Sequence, residues 1–168
     1  DASIVGVEAE NDVAVLKIDA TGLTPVAVGD SDDILVGDTV YAVGNPLGEL
    51  DFSMTTGSVS ALDRSITVDS DQPAINMFQF DAAVNSGNSG GALFNLYGEV
   101  IGITNAKYSS SSSSSEASID NIGFAIPLNH VKNIVKSIIE TGSITKPYIG
   151  VTVSSVSSEA QGYGLPTG

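Results

Sequence analysis

With 168 residues the chain is long enough for one large domain or two small ones, and 42% hydrophobic against only 15% charged residues excludes disorder over its whole length. Six Lys and Arg against 20 Asp and Glu leave a net charge of −14, which repels phosphate backbones and anionic membranes, so no nucleic-acid partner is expected. The absence of cysteine excludes disulfide frameworks, Cys-ligated zinc, iron–sulfur clusters and thiol catalysis.

The chain opens at Asp1 without a methionine, and we read it as a processed or trimmed piece of a longer polypeptide. No apolar run approaches the ~20 residues that span a bilayer, so direct membrane insertion of this segment is not expected. Residues 3–8 and 13–18 are short and rich in Val and Ile, with Glu10, Asn11 and Asp12 as a turn signal between them. They predict a hairpin with Asp12 at the head of its second strand. Gly29 to Asp33 is a second turn cluster, followed by a strand over 38–44 that stops at Asn45-Pro46-Leu47-Gly48. Further strands are expected near 52–61, 75–80, 91–94, 99–104 and 122–126. Such spacing, punctuated by Gly, Asn and Asp among 18 glycines, favours an all-β barrel or sandwich over an alternating α/β fold.

One helix stands out after Pro127. Leu128, Val131, Ile134, Val135, Ile138 and Ile139 follow the i, i+3, i+4, i+7 rule, with Lys132 and Lys136 opposite, Asn129 as N-cap and Gly142 as the C-terminal stop. A single helix after many strands predicts a closing element packed on a β unit. The run Ser109 to Ser115 has no apolar face and reads as a long loop between two strands. The tail from Ser154 to Gly168 is small and polar, and reads as frayed or as the start of another domain.

The richest chemistry lies in Asp81-Ala82-Ala83-Val84-Asn85-Ser86-Gly87-Asn88-Ser89-Gly90-Gly91. Its glycines let the backbone bend so that successive N–H groups converge on one concavity, with the Ser89 hydroxyl at the rim. On spacing alone the segment is either a nucleophile site or an ordinary hairpin loop. The literal Gly87-x-Ser89-x-Gly91 also fits the elbow of α/β-hydrolases, with Asp120 and His130 as partners. An elbow needs a strand, a sharp turn and then a helix, whereas the residues after Ser89 predict a β-hairpin.

Five ordered motifs settle the comparison. Asn11-Asp12-Val13-Ala14-Val15-Leu16-Lys17-Ile18, Val43-Gly44-Asn45-Pro46-Leu47-Gly48, Thr56-Gly57-Ser58-Val59-Ser60-Ala61, the 81–91 segment and Ile122-Gly123-Phe124-Ala125-Ile126-Pro127 resemble the protease domain of the HtrA (Deg) family. The resemblance runs from about residue 4 to residue 151. It implies a chymotrypsin-like double β-barrel, with residues 1–30 as the last strands of an N-terminal barrel and residues 31–142 as the C-terminal barrel and its helix. Residues 143–168 would be a linker and, from Tyr148-Ile149-Gly150-Val151, the entry into a PDZ module. It implies Ser89 as nucleophile, Asp12 as the acid that orients a histidine, and Gly87, Asn88 and Ser89 as the oxyanion-hole segment. Ala83 and Val84 would line the pocket for the side chain before the scissile bond, which without a charged base suits small or medium apolar groups. Ile103, Thr104 and Asn105 would lie on the strand that pairs with the substrate backbone. The family also implies unfolded polypeptides as substrates, a homotrimer at full length, no cofactor, no metal, and a bacterial envelope or extracellular location. Segments 81–88, 108–120 and 63–73 resemble its regulatory loops, so that ordering of the serine-rich stretch would accompany activation.

The departures matter as much. Ser86 and Ala92 stand where the family usually has proline, and the family's catalytic histidine lies upstream of the acid by tens of residues. The one histidine here is His130, read as a surface or capping-turn residue. The chain alone is therefore expected to lack its general base and to be inactive. A non-catalytic peptide-binding module and an autoproteolytic fragment are the alternatives, and Asp12 has its own reading as a plain turn residue. The incomplete N-terminal barrel predicts an exposed apolar edge that pairs with another chain or with the absent segment.

Overall fold

The computed structural model describes residues 1–45, 53–68, 71–85, 87–105 and 122–144. Its elements alternate short strands with tight turns, as the Gly, Asn and Asp punctuation requires. An N-terminal hairpin pairs β1 (Ala2–Glu8) with β2 (Val13–Ile18), and a two-residue strand β3 (Ala27–Val28) follows. After one 3-10 turn (Ser31–Asp33) come β4 (Thr39–Gly44), β5 (Ser53–Ile66), β6 (Ile75–Phe80), β7 (Ala92–Phe94), β8 (Glu99–Asn105) and β9 (Gly123–Pro127). The chain then enters helix α1 (Leu128–Thr141).

The sheet order β8-β7-β4-β5-β6-β9, closed by pairing of β8 with β9 from Gly102↔Pro127 to Asn105↔Phe124, makes a six-stranded antiparallel barrel. Closure removes the free edges that an open sheet of this composition would expose. The small strand β3 lies outside the closed ring, parallel to β8, and so joins this barrel rather than the N-terminal hairpin. β5 runs for 14 residues, longer than the expected 52–61, and bends around the barrel through register shifts between Val59 and Ala61 and between Ala61 and Arg64. Asp63 sits in the second of these with φ +54°, the local kink of a bulge. The regulatory-loop segment expected at 63–73 thus begins as strand.

Two apolar clusters hold the unit together. One fills the barrel with Val40, Val59, Phe78, Phe80, Leu93 and Ile101, and the other joins Val13 of the hairpin to Met77, Phe124, Ile126 and Val131. The second is where α1 packs, spanning the barrel wall and the hairpin. Gly6 permits that approach, since a Cβ there would lie 2.7 Å from the Ile138 side chain and 2.9 Å from the Gly142 carbonyl. Ile139, expected on the apolar face, is 63% exposed instead.

The helix ends as expected, with Gly142 at φ +75° and its N–H donating to Ile138 O at 2.8 Å. Its start differs. The N-cap is Pro127, which offers no side-chain acceptor, and Asn129 lies two residues further in. The Asn129 N–H donates to Ser31 Oγ (3.0 Å) and its carboxamide to Asp30 Oδ1 (2.6 Å), so the 3-10 turn caps the helix from 98 residues away. The orphan amide that an N-cap side chain usually serves is satisfied by a non-local hydroxyl.

Candidate active site

The segment carrying Ser89 is two turns in series that share Asn88. The Asn88 N–H donates to Asn85 O (3.0 Å) with Gly87 at φ +100°, and the Gly91 N–H donates to Asn88 O (2.9 Å) with Gly90 at φ +81°. A positive φ at the third position is the mark of a type II turn, which places Ser89 at the exposed second position of the second turn. Glycine is required at both third positions because an L side chain is strained there.

Asn88 itself is buried, 4% exposed, and it fits only because Gly44 of β4 has no side chain: a Cβ there would lie 2.5 Å from Asn88 Oδ1. Gly91 is pressed in the same way, with Val43 O 2.3 Å and Asn88 O 2.9 Å from where its Cβ would sit. β8 clamps the turn from the other side. Thr104 N–H donates to Gly91 O (2.9 Å), Gly90 N–H donates to Thr104 O (2.8 Å), and the Thr104 hydroxyl donates to Asn88 O, with Gly91 O 3.1 Å away.

Asp12 stands at the head of β2 with φ +53°, in the left-handed region that Asp tolerates better than most residues. The buried Glu8 carboxylate shapes this turn by accepting from Asn11 N–H (2.8 Å), Asn11 Nδ2 (2.7 Å) and Glu10 N–H (3.3 Å). Asn105, next to Thr104, donates from Nδ2 to Asp12 Oδ2 at 2.9 Å. One dipeptide of β8 therefore holds both Asp12 and the serine turn. Asp12 also borders a cleft of about 260 Å³ with Glu8, Val13, Gln72, Pro73 and Ile75.

The side chains of Thr104 and Asn105 are buried, and the backbone of β8 here pairs with the Gly90-Gly91 turn on one side and with β9 on the other. Ile103 beside them is half-buried. Ala83 is exposed and Val84 half-buried against the barrel core, where a Cβ on Gly123 would approach Phe80 at 2.7 Å and Val84 at 3.0 Å. This stretch is tied to β5 by Ser58 N–H to Asp81 Oδ1 (2.6 Å) and Thr55 Oγ1 to Ala83 O (2.8 Å). Gly57 allows the approach, since its Cβ would lie 2.2 Å from Ala82 N. The roles of Gly44, Gly57 and the two β8 side chains carry no local sequence signal, because each partner is distant along the chain.

His130 is not in this group. It lines a separate cleft of about 400 Å³ with Asp32, Leu62, Asp63, Asn76 and Phe78, at the start of α1. Nearby, Asp30 is held below its ordinary carboxylate range by the Asp32 N–H and then by the Asn129 carboxamide, with Lys132 adding to the effect. Among the described residues no three His, Asp or Glu side chains cluster to hold a metal ion, and no helix is long and apolar enough to cross a membrane. Ser86, the Pro46-Leu47-Gly48 stop, the serine-rich stretch with Asp120, the Tyr148 to Val151 motif and the tail lie outside the described residues.

The profile for the trypsin-like peptidase domain matches residues 1–103. Protease Do-like 1, chloroplastic, of Arabidopsis thaliana is 45% identical over 154 residues, covering 90% of this chain and 34% of that protein. A probable periplasmic serine endoprotease, DegP-like, of Rickettsia conorii is 40% identical over 166 residues, covering 98% of this chain and 32% of that protein. The chain thus spans about a third of the length of these relatives. A solved structure of the HtrA-type protease AlgW with decapeptide superposes with a TM-score of 0.76 at 39% identity, covering 96% of this chain and 47% of that one.

Proposed function

The chain belongs to the trypsin-like peptidase family, in its HtrA branch, and from that premise we propose that it is the part of a serine endopeptidase that carries nucleophile, acid and oxyanion donors. The carrying observation is the Thr104-Asn105 dipeptide, which fastens the Ser89 turn with one residue and the Asp12 carboxylate with the next.

In this reading Ser89 Oγ attacks the scissile carbonyl carbon of a peptide while an imidazole takes the hydroxyl proton. The Gly87 and Ser89 N–H groups stabilise the oxygen that becomes negative, and Asp12 stabilises the imidazolium. The imidazolium returns its proton to the departing amine, leaving an acyl-enzyme on Ser89 that water then hydrolyses. Asn105 keeps the Asp12 carboxylate in one orientation. Ala83, Val84 and Ile103 border the pocket for a small or medium apolar side chain, and unfolded polypeptides are the substrates. In this reading the imidazole comes from outside these residues, which is supported by His130 lining a cleft other than the one Asp12 borders. The longer polypeptide assembles as a trimer and works in the bacterial envelope, a location supported by the relative named as periplasmic.

The placing of His130 in a cleft that Asp12 does not border also favours a second reading, a groove that binds peptides without cutting them. One experiment separates the two: intact-mass spectrometry after a fluorophosphonate probe, with and without added imidazole, and Ser89→Ala as control. The first reading expects a single adduct at Ser89 that depends on imidazole. No adduct under either condition would leave the binding module, and an adduct equally formed by Ser89→Ala would remove Ser89 from the mechanism. An adduct at Ser89 without imidazole would show that the chain holds its own base.

A further inference from the structure

We infer that Thr104 is a positioning residue whose hydroxyl aims the Ser89 N–H at the oxyanion, an inference that rests on the reading of Ser89 as nucleophile. One peptide plane links the two groups. The carbonyl of Asn88 and the N–H of Ser89 belong to the same planar trans unit, in which oxygen and hydrogen point in opposite directions. Fixing the oxygen therefore fixes the direction of the hydrogen. The Asn88 oxygen is held by two donors, the Gly91 N–H at 2.9 Å and the Thr104 hydroxyl. With only the first, the plane could still rock about the Cα atoms on either side, in a segment where Gly87 and Gly90 at φ +100° and +81° offer little resistance. The second donor comes from a rigid barrel strand and from a side chain that is 2% exposed, so water does not compete for it.

Thr104 suits the task in two further ways. Its own N–H and C=O are engaged with Gly91 O and Gly90 N–H, so the backbone beneath the hydroxyl is fixed to the same turn. Its branched Cβ restricts the hydroxyl to few rotamers. A Cβ on Gly91 would meet Val43 O at 2.3 Å and the Asn88 oxygen itself at 2.9 Å, so the bare glycine leaves that oxygen open to its two donors.

The test compares Thr104→Val, which keeps shape and both backbone bonds, with Thr104→Ser, which keeps the hydroxyl. Two readouts are taken: fluorophosphonate labelling of Ser89 in added imidazole, and hydrogen exchange of the 87–91 amides. Thr104→Val is expected to lower the maximal labelling rate about tenfold with little change in the probe's half-saturating concentration, and to speed exchange at Gly91, whose N–H is the other donor to the Asn88 oxygen, by a similar factor, the scale of one buried hydrogen bond. Thr104→Ser is expected to restore both towards the parent values. Equal maximal labelling in Thr104→Val and the parent overturns the inference. So does a loss that Thr104→Ser shares in full. If the parent itself is not labelled, the reading of Ser89 has failed and exchange decides alone: faster exchange confined to 87–91 supports the clamp, and unchanged exchange overturns it.

Discussion

Gly44 is 44 positions upstream of the residue it serves, and its missing side chain is what leaves room for Asn88. A methyl group there would sit 2.5 Å from Asn88 Oδ1 and 2.9 Å from Asn88 Cα, so both a side-chain atom and the backbone must move. Gly44→Ala should therefore destabilise the chain by roughly 1–3 kcal/mol, the usual cost of overpacking, and displace the Ser89 turn as well. Denaturant melting measures the first effect and fluorophosphonate labelling in imidazole the second. A variant with wild-type melting and wild-type labelling would show that the turn is not seated on Gly44. Asn105 gives the opposite lesson, since it contributes through what it has. Its Nδ2 at 2.9 Å from Asp12 Oδ2 is a charge-assisted bond, part-buried because Asn105 is enclosed while Asp12 is exposed. A sequence reading finds Asp12 and Ser89 by their motifs, yet nothing adjacent to Asn105 announces a partner 93 residues away.

The elements show where such legibility stops. Most strands fall within a residue or two of their expected positions because Gly, Asn and Asp mark their ends, and the helix end at Gly142 follows from its left-handed backbone. The helix start does not follow. Residue type makes Asn129 the natural cap, but the fold brings Ser31 and Asp30 to the first turn and uses Asn129 as donor instead. Likewise the extension of β5 through Asp63 comes from the curvature of a closed barrel, which local pattern does not encode. Two predictions belong to this junction. Ser31→Ala leaves the Asn129 amide without its acceptor and should cost about 1 kcal/mol, the scale of a lost N-cap, in chemical unfolding. Asp30 accepts two bonds as a carboxylate, so its folded pKa lies below the unfolded value. Its stabilising contribution is fully present above the unfolded value and is lost as pH falls through the folded one. Asp30→Asn should flatten the acid limb of the stability curve relative to the parent. An acid limb identical in both proteins would mean that the Asp30 contacts do not survive in solution.

At the scale of the molecule, apolar packing has to outweigh a charge of −14. Among the described residues the ion pair Lys136–Glu140 is exposed at both ends and 4.0 Å long, which contributes little. Stability therefore rests on the two apolar clusters and the backbone ladder, while the charge keeps molecules apart. The hairpin opposes that repulsion. One of its faces packs on α1, and the other carries Ile4 (70% exposed), Val7 (63%), Leu16 (60%) and Ile18 (48%). These residues align because Ile4 faces Leu16 and Val7 faces Ala14, with the bulge between Ile4 and Gly6 keeping Ile4 and Val7 on one side. An apolar face of this kind marks an association surface. Repulsion between copies reaches about 30 Å at roughly 0.01 M salt but only about 3 Å near 1 M, so association through the face should strengthen as salt is added. Sedimentation velocity across that range should show the parent chain moving from monomer towards larger species. Leu16→Lys combined with Ile4→Lys should keep it monomeric without lowering its melting point by much, since both positions are already in water. If the parent sediments as a monomer at every salt concentration, the hairpin face does not draw copies together.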